Sequence, residues 1–471
     1  MKKDIQFDNS LMRASFSGVK QVEEVYFIGI GGIGMSALAR YFFEGGVKVS
    51  GYDKTKTLLT DELEEMGIAI HYEEDLSKAS KTAQWIIYTP AIPAAHKELV
   101  FYKEQGYKLM KRSEVLGEIT KSSLNICVAG THGKTTTTTM IAHILRHSGI
   151  GANAFLGGIA ANYGTNYWSD TNNCCVVEAD EYDRSFLKLN PDLAVITSMD
   201  ADHLDIYGSA EHIENAFLEF ASKMKPGGVL VLKYGLKRQS DFKLSKMLTY
   251  HLNDAEADCY CMQVQVADGG YSFDIKFFDE KIEDVYLPMG GLHNVENALA
   301  AISLAKMMGA SNNSIRTALK DFAGVKRRFE LVAKTSQITV IDDYAHHPEE
   351  LRALITGVRS IYKDHYCTVI FQPHLFSRTN DLADEFAAVL DMSDESILLP
   401  IYPARELPIP GVTSEMLLQR MKLNEKKIMS MQEVVDWVGE IKLVERKQVI
   451  VIAGAGDIDQ LPGKIKEKLN K

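Results

Sequence analysis

Short apolar runs alternate with amphipathic stretches along almost the whole chain. Val25-Tyr-Phe-Ile-Gly29 has the length and composition of a buried strand, and Met35 to Phe43 carries its apolar residues at helical spacing. Val47 to Asp53 predicts a second strand, Leu58 to Met66 a second helix, and Trp85 to Thr89 a buried strand bounded by Pro90. The alternation resumes with the strand Leu124 to Val128 and the helix Met140 to Arg146. Cys174 to Glu178 and Leu193 to Thr197 predict strands, 209–224 a helix, and Val229 to Leu232 another strand after Pro226-Gly-Gly. Residues 257–288 alternate with period two and predict a small antiparallel sheet, followed by a helix from Asn294 to Met308. The last third predicts strands at Ile338–Asp343, Cys367–Phe371, Ser396–Leu399 and Gln448–Ala453, with helices from Pro348 and over 381–391 and 431–441. Gly454 to Asp457 is expected to close the sheet edge. Strands alternating with helices indicate doubly wound, largely parallel α/β sheets.

The junction between Val128 and Met140 carries the strongest chemical signal. Ala129-Gly-Thr-His-Gly-Lys-Thr-Thr136 lies where a strand hands over to a helix. Glycines at such a junction let the backbone turn its N–H groups onto a phosphate. Lys134 can reach terminal phosphates, and the Thr135 hydroxyl can join a Mg²⁺ shell. The loop is two residues shorter than the common GxxxxGKT form, which makes it a narrower signature.

A second glycine loop, Gly29-Ile-Gly31-Gly32-Ile-Gly34, follows the first strand, and Asp53 ends the next one. This spacing fits a dinucleotide or any nucleoside diphosphate, so NAD and a UDP-sugar are equal readings of it. Two phosphate loops imply two anionic ligands. Polar residues collect at later strand ends. Glu178-Ala-Asp180-Glu181-Tyr-Asp183 and Asp200-Ala-Asp202-His203 follow consecutive strands, and Glu178 and His203 are candidate metal ligands. Asn294 and Asn297 begin a helix, where asparagine also serves as a cap. Arg327-Arg328, Asp342-Asp343-Tyr344-Ala-His346-His347 and Gln372-Pro-His374 to Arg378 gather at strand ends of the last third.

With 471 residues the chain predicts about three domains at ~150 residues each. They are a Rossmann-like N-terminal domain over 1–121, a central P-loop ATPase-like α/β domain over 122–331, and a C-terminal Rossmann-like α/β domain over 332–471. A net charge of −11 argues against general nucleic-acid binding and leaves anion binding to local devices. Six cysteines without metal-ligand spacing, no apolar run of the ~18 residues that span a bilayer, and no signal-like stretch at Met1-Lys-Lys-Asp predict a cytoplasmic protein with reduced thiols. Cys259-Tyr-Cys261 reads as two residues on one strand face.

These motifs together resemble the Mur ligase family of ATP-dependent amide-forming enzymes of peptidoglycan synthesis. The resemblance rests on Gly29 to Gly34, Gly130 to Thr135, Glu178-Ala-Asp-Glu181, Asp202-His203, His293-Asn-x-x-Asn297, Arg327-Arg-Phe329 and Asp342 to Pro348, in family order. The start Gly-Ile-Gly-Gly-Ile-Gly-Met-Ser-Ala, Thr131-His132 and His346-His347-Pro348 are most similar to the branch that adds L-alanine to UDP-N-acetylmuramate. A sister branch adds a recycled tripeptide to the same sugar.

The resemblance implies that Gly31, Gly32, Ile33, Gly34, Met35, Asp53 and Thr89 hold the UDP-sugar. Gly130, Thr131, His132, Gly133, Lys134, Thr135 and Thr136 would cradle ATP, with Asn294 and Asn297 on adenine, Arg328 on phosphate and Asp343 on the ribose. Thr135, Glu178 and His203 would ligate Mg²⁺, and Tyr344, His346 and Arg378 would line the amino-acid site. Lys134, Glu178, His203, His346 and Arg378 form the implied catalytic set, in a monomer or weak homodimer. Two arginines common in close relatives are Leu375 and Asn380 here, which leaves fewer cations for the incoming carboxylate.

Overall fold

The computed structural model describes residues 22–121, 123–200, 204–404, 406–441 and 446–470. Its strands form three sheets. The first contains β1 (Glu24–Ile28), β2 (Lys48–Tyr52), β3 (Ala69–His71), β4 (Trp85–Tyr88) and β5 (Leu109–Lys111), in the order β3-β2-β1-β4-β5. All its pairings are parallel. Parallel strands covered on both faces need apolar side chains on both, and all five residues of β1 are buried. The order reverses between β1 and β4, so the glycine loop after β1 opens at the switch point where such sheets bind ligands.

The central sheet has ten strands. They are β6 (Leu124–Ala129), β7 (Asn153–Ala160), β8 (Thr165–Trp168), β9 (Cys174–Glu178), β10 (Leu193–Ile196), β11 (Val229–Lys233), β12 (Met247–His251), β13 (Cys259–Ala267), β14 (Gly270–Phe277) and β15 (Glu280–Leu287). Their order is β15-β14-β13-β12-β11-β10-β6-β9-β7-β8. The alternating stretch 257–288 is therefore not a separate small sheet. β13 pairs in parallel with β12 through Tyr250↔Cys259 and His251↔Tyr260, which extends the main sheet. Cys259 and Cys261 both lie buried on β13.

The third sheet contains β16 (Glu330–Lys334), β17 (Ile338–Asp343), β18 (Tyr366–Phe371), β19 (Glu395–Leu398), β20 (Lys426–Ile428) and β21 (Gln448–Ala453). The order is β16-β17-β21-β18-β19-β20, with β16 antiparallel at one edge. β21 lies between β17 and β18, so Gly454 to Asp457 follows a central strand and does not close an edge. A strand buried at five of its six residues belongs inside the sheet. β16 spans the 331/332 boundary expected from sequence. The helix expected over 381–391 is two, Phe376–Asp381 and Ala383–Leu390, separated at Leu382, which has φ −115° and ψ 19°.

Two compact units emerge. One takes the chain up to Val264 with Phe273–Tyr286 and Val295–Phe322; the other takes Gln265–Ser272, Leu287–Asn294 and Ala323–Lys471. Within the first, the N-terminal and central sheets share one apolar core. Tyr41 on the helix Ile33–Glu44 packs on Phe155 of β7 at 5.4 Å between centroids and on Tyr167 of β8 at 6.2 Å. Buried Asn166 donates to the carbonyl of Ile33 and to Ser36 Oγ, tying β8 to the first turn of that helix. The C-terminal unit has its own core around Val340, Ile370, Ile397 and Ile450. Among the described residues no helix is long and apolar enough to cross a membrane.

Candidate active site

The phosphate loop joins β6 to the helix Lys134–His147. Gly133 caps that helix at φ +80°, in the left-handed region, and a Cβ there would lie 2.6 Å from Asn297 Oδ1. Only glycine fits both demands. Asn297 is thereby placed against the loop. The end of β10 fixes the other side. Thr197 Oγ1 donates to His132 O at 2.5 Å, and His132 N–H donates to Ser198 Oγ at 2.8 Å. Thr131 Oγ1 pairs with Ser198 Oγ at 2.9 Å, and His132 lies 3.8 Å from Asp200. Thr136 is buried in the first turn of the helix.

Lys134 folds over this loop. Its ammonium donates to Gly130 O at 2.7 Å and to Glu181 at 2.8 Å. Glu178, at the end of β9, accepts from Gly157 N–H at 3.1 Å and lies near the Thr135 hydroxyl. Burial raises its carboxyl above the usual range, while Lys134 and Thr135 pull it back. A half-buried carboxylate near a hydroxyl beside a phosphate loop is a suitable oxygen pair for a hard cation. His203, the other expected metal ligand, lies outside the described residues.

The N-terminal glycine loop leans on Asp53, whose carboxylate accepts from Gly31 N–H at 2.7 Å and from Thr55 N–H at 3.1 Å. Thr89 packs beneath Gly29. Gly32 caps the helix Ile33–Glu44, which points its free N–H groups out of the loop. Arg112, at the start of the helix Arg112–Lys121, covers Gly34 so closely that a Cβ there would meet its Nη1 at 2.6 Å. The Arg112 guanidinium lies 3.7 Å from Asp180. A cavity of about 340 Å³ opens here, lined by Ile33, Gly34, Met35 and Arg112 from one side and by Gly157 and Glu178 from the other. Sequence pattern does not single out Arg112, because it follows a three-residue strand with no motif of its own.

The remaining expected residues lie in the C-terminal unit. Asn294 donates its amide to Gly290 O at 2.6 Å and is buried. Asp343 accepts from Phe329 N–H at 2.7 Å and Ala345 N–H at 2.8 Å, fixing the chain on both sides of the strand end. Tyr344 lies beneath Arg327 at 5.2 Å and Arg328 at 5.6 Å from its ring centroid. His346 packs edge-on to Tyr344 at 5.2 Å and to His374 at 5.9 Å. Burial lowers the His346 value, against the pull of Glu350, so the ring is neutral at pH 7. Its Nδ1 faces Tyr344 O at 2.9 Å, which assigns the proton to Nδ1 and leaves the lone pair on Nε2. Arg378 buries Nη1 without a hydrogen-bond acceptor among the described residues, as does His374 its Nδ1. Leu375 adopts φ +70°, and Asn380 is exposed and donates to Asp381 at 3.1 Å. His374 joins this cluster without a motif signal beyond its strand-end position.

Comparison with known proteins agrees with the motif order. The Mur ligase family catalytic domain matches residues 24–123, the Mur ligase middle domain 128–305, and the Mur ligase glutamate ligase domain 327–456. A UDP-N-acetylmuramate–L-alanine ligase of Porphyromonas gingivalis is 46% identical over 95% of this chain and 99% of its own. One from Flavobacterium johnsoniae is 46% identical over 96% and 99%. The solved UDP-N-acetylmuramate-alanine ligase MurC of Thermotoga maritima superposes with a TM-score of 0.81 at 27% identity, covering 95% of this chain and 99% of that one. Likeness of this extent, over all three sheets and both phosphate loops, means that the chain belongs to the Mur ligase family.

Proposed function

We propose that this protein joins L-alanine to the lactyl carboxylate of UDP-N-acetylmuramate, using ATP, in the synthesis of peptidoglycan precursors. The carrying observation is the shared cavity: the N-terminal glycine loop and Glu178, next to the phosphate loop, line the same space. A nucleotide-sugar held by its diphosphate on Gly32 to Gly34 can present an acid to the γ-phosphate held by Lys134. In this reading residues 1–121 bind the nucleotide-sugar, 122–331 bind ATP and Mg²⁺, and 332–471 bring the amino acid.

The carboxylate oxygen attacks the γ-phosphorus, ADP leaves, and an acyl phosphate forms. The alanine amine then adds to the acyl carbon, and phosphate departs as the amide forms. Two anions meet in the first step, so Lys134, Arg112 and the N–H groups of the helix Lys134–His147 offset their repulsion. Thr135 and Glu178, with His203, would hold Mg²⁺, which would supply positive charge against the phosphates of ATP. Arg378 receives the alanine carboxylate on Nη1. His346 offers Nε2 as acceptor for the proton that the attacking amine must lose. Asn297 would border the nucleotide at Gly133.

The test is ADP release with UDP-N-acetylmuramate and each candidate amine. L-alanine should drive turnover, glycine and L-serine should do so more weakly, and Lys134→Ala should abolish it. Turnover with a muramyl tripeptide and none with L-alanine would overturn the assignment.

A further inference from the structure

Glu181 is fully buried and holds Lys134, the key cation of the loop after β6. Lys134 Nζ lies 2.8 Å from Glu181 Oε1 and 2.8 Å from Oε2, in addition to its bond of 2.7 Å to Gly130 O. An ammonium has three N–H donors, and they go to Gly130 O, to Thr131 O at 3.5 Å and to Glu181 Oε1, with Oε2 in ion-pair contact. Glu181 is itself held in place. Its carbonyl accepts from the buried Tyr207 hydroxyl at 2.7 Å, and it leads into the tight turn Tyr182–Lys188. Burial lifts the Glu181 carboxyl above its usual range, and Lys134 is the main group opposing that lift.

We infer that Glu181 is a positioning residue: an internal anion that occupies, on Lys134, the donors that nucleotide phosphates must take. A phosphate oxygen approaching the lysine competes with Glu181, its ion-pair partner among the described residues, as well as with the carbonyls of Gly130 and Thr131. The pair therefore sets how tightly the loop grips a polyphosphate. It also gives the ammonium a partner to return to when ADP and phosphate leave. This inference rests on the reading that the loop binds a nucleoside triphosphate.

The experiment compares binding of a non-hydrolysable ATP analogue with binding of AMP, whose single phosphate does not extend to the lysine. Binding of the analogue to the wild-type protein tests the underlying reading on its own. Glu181→Gln keeps the shape and removes the charge. It should tighten the analogue by roughly three- to tenfold, the range for one charged partner gained or lost. AMP affinity should be unchanged, the KM for ATP should fall, and dissociation of a fluorescent ADP should slow. In a Lys134→Met background the same change should have no effect, which a double-mutant cycle reads directly. A purely structural ion pair would instead weaken analogue and AMP alike, or persist without the lysine, and either result overturns the proposal. If Glu181→Gln does not fold by thermal melting, Glu181→Asp, one methylene shorter, should show the same direction at smaller amplitude. Weaker or unchanged analogue binding in that variant also overturns it.

Discussion

Arg112 stands where two loops from different sheets border one ligand space, with Asp180 3.7 Å from its guanidinium and Glu178 also within reach of its charge. Arg112→Ala should raise the KM for the nucleotide-sugar by roughly 10- to 100-fold, the scale of a hydrogen bond to a charged group, and affect the KM for ATP far less. Gly34→Ala should act in the same direction more mildly, because its methyl would force the guanidinium aside. Initial rates at varied substrate check both. His346 makes a prediction about pH. Its value is lowered from 6.5, so the acceptor form persists through neutrality and is lost only as pH falls below that point. The rate should decline on that acid side, and His346→Gln should flatten the decline to a lower plateau in a pH–rate profile. Such residues differ in how far sequence reveals them. Lys134, Thr135 and Glu178 are marked by loops and strand ends. Arg112, and the pairing of Glu181 with Lys134, become visible only when chain folding brings β5 and β9 beside the loops.

Among the elements, strands buried on both faces are legible as continuous apolar runs: Cys174–Glu178, Ile338–Asp343 and Gln448–Ala453 stand where the pattern puts them. Short or edge strands are not. β3, β5 and β20 have three residues each, too few for a period, and β16 is half-exposed at the sheet edge. Strand order is equally silent in the pattern, which is why β13 to β15 read as a separate sheet and β21 as an edge. One strand end carries a pH signature. Asp342, the penultimate residue of β17, is buried 3.3 Å from Arg327, and burial raises its value from 3.8 to about 7 despite that arginine. A raised folded-state value means stabilisation present below 3.8 and lost as pH rises through about 7. The melting temperature of the C-terminal unit should therefore fall over that interval, and Asp342→Asn should remove most of the slope. A slope that survives the substitution would assign it to another group.

For the molecule as a whole, the N-terminal and central sheets share a core while the C-terminal sheet has its own. Calorimetry should resolve two transitions. UDP-N-acetylmuramate should raise only one, by about 2.7 kcal/mol at a hundred times its Kd. A single transition, or a shift in both, would contradict that division. The burial of every cysteine has a practical reach. All six thiols are enclosed, and burial pushes Cys175 up to about 11 and Cys259 and Cys367 to about 12. The folded chain should be inert to maleimide dyes. A lone Leu407→Cys, at a side chain 85% exposed, would then give a unique handle for fluorescence or surface attachment. Any uptake of label by the unaltered chain would time its spontaneous opening.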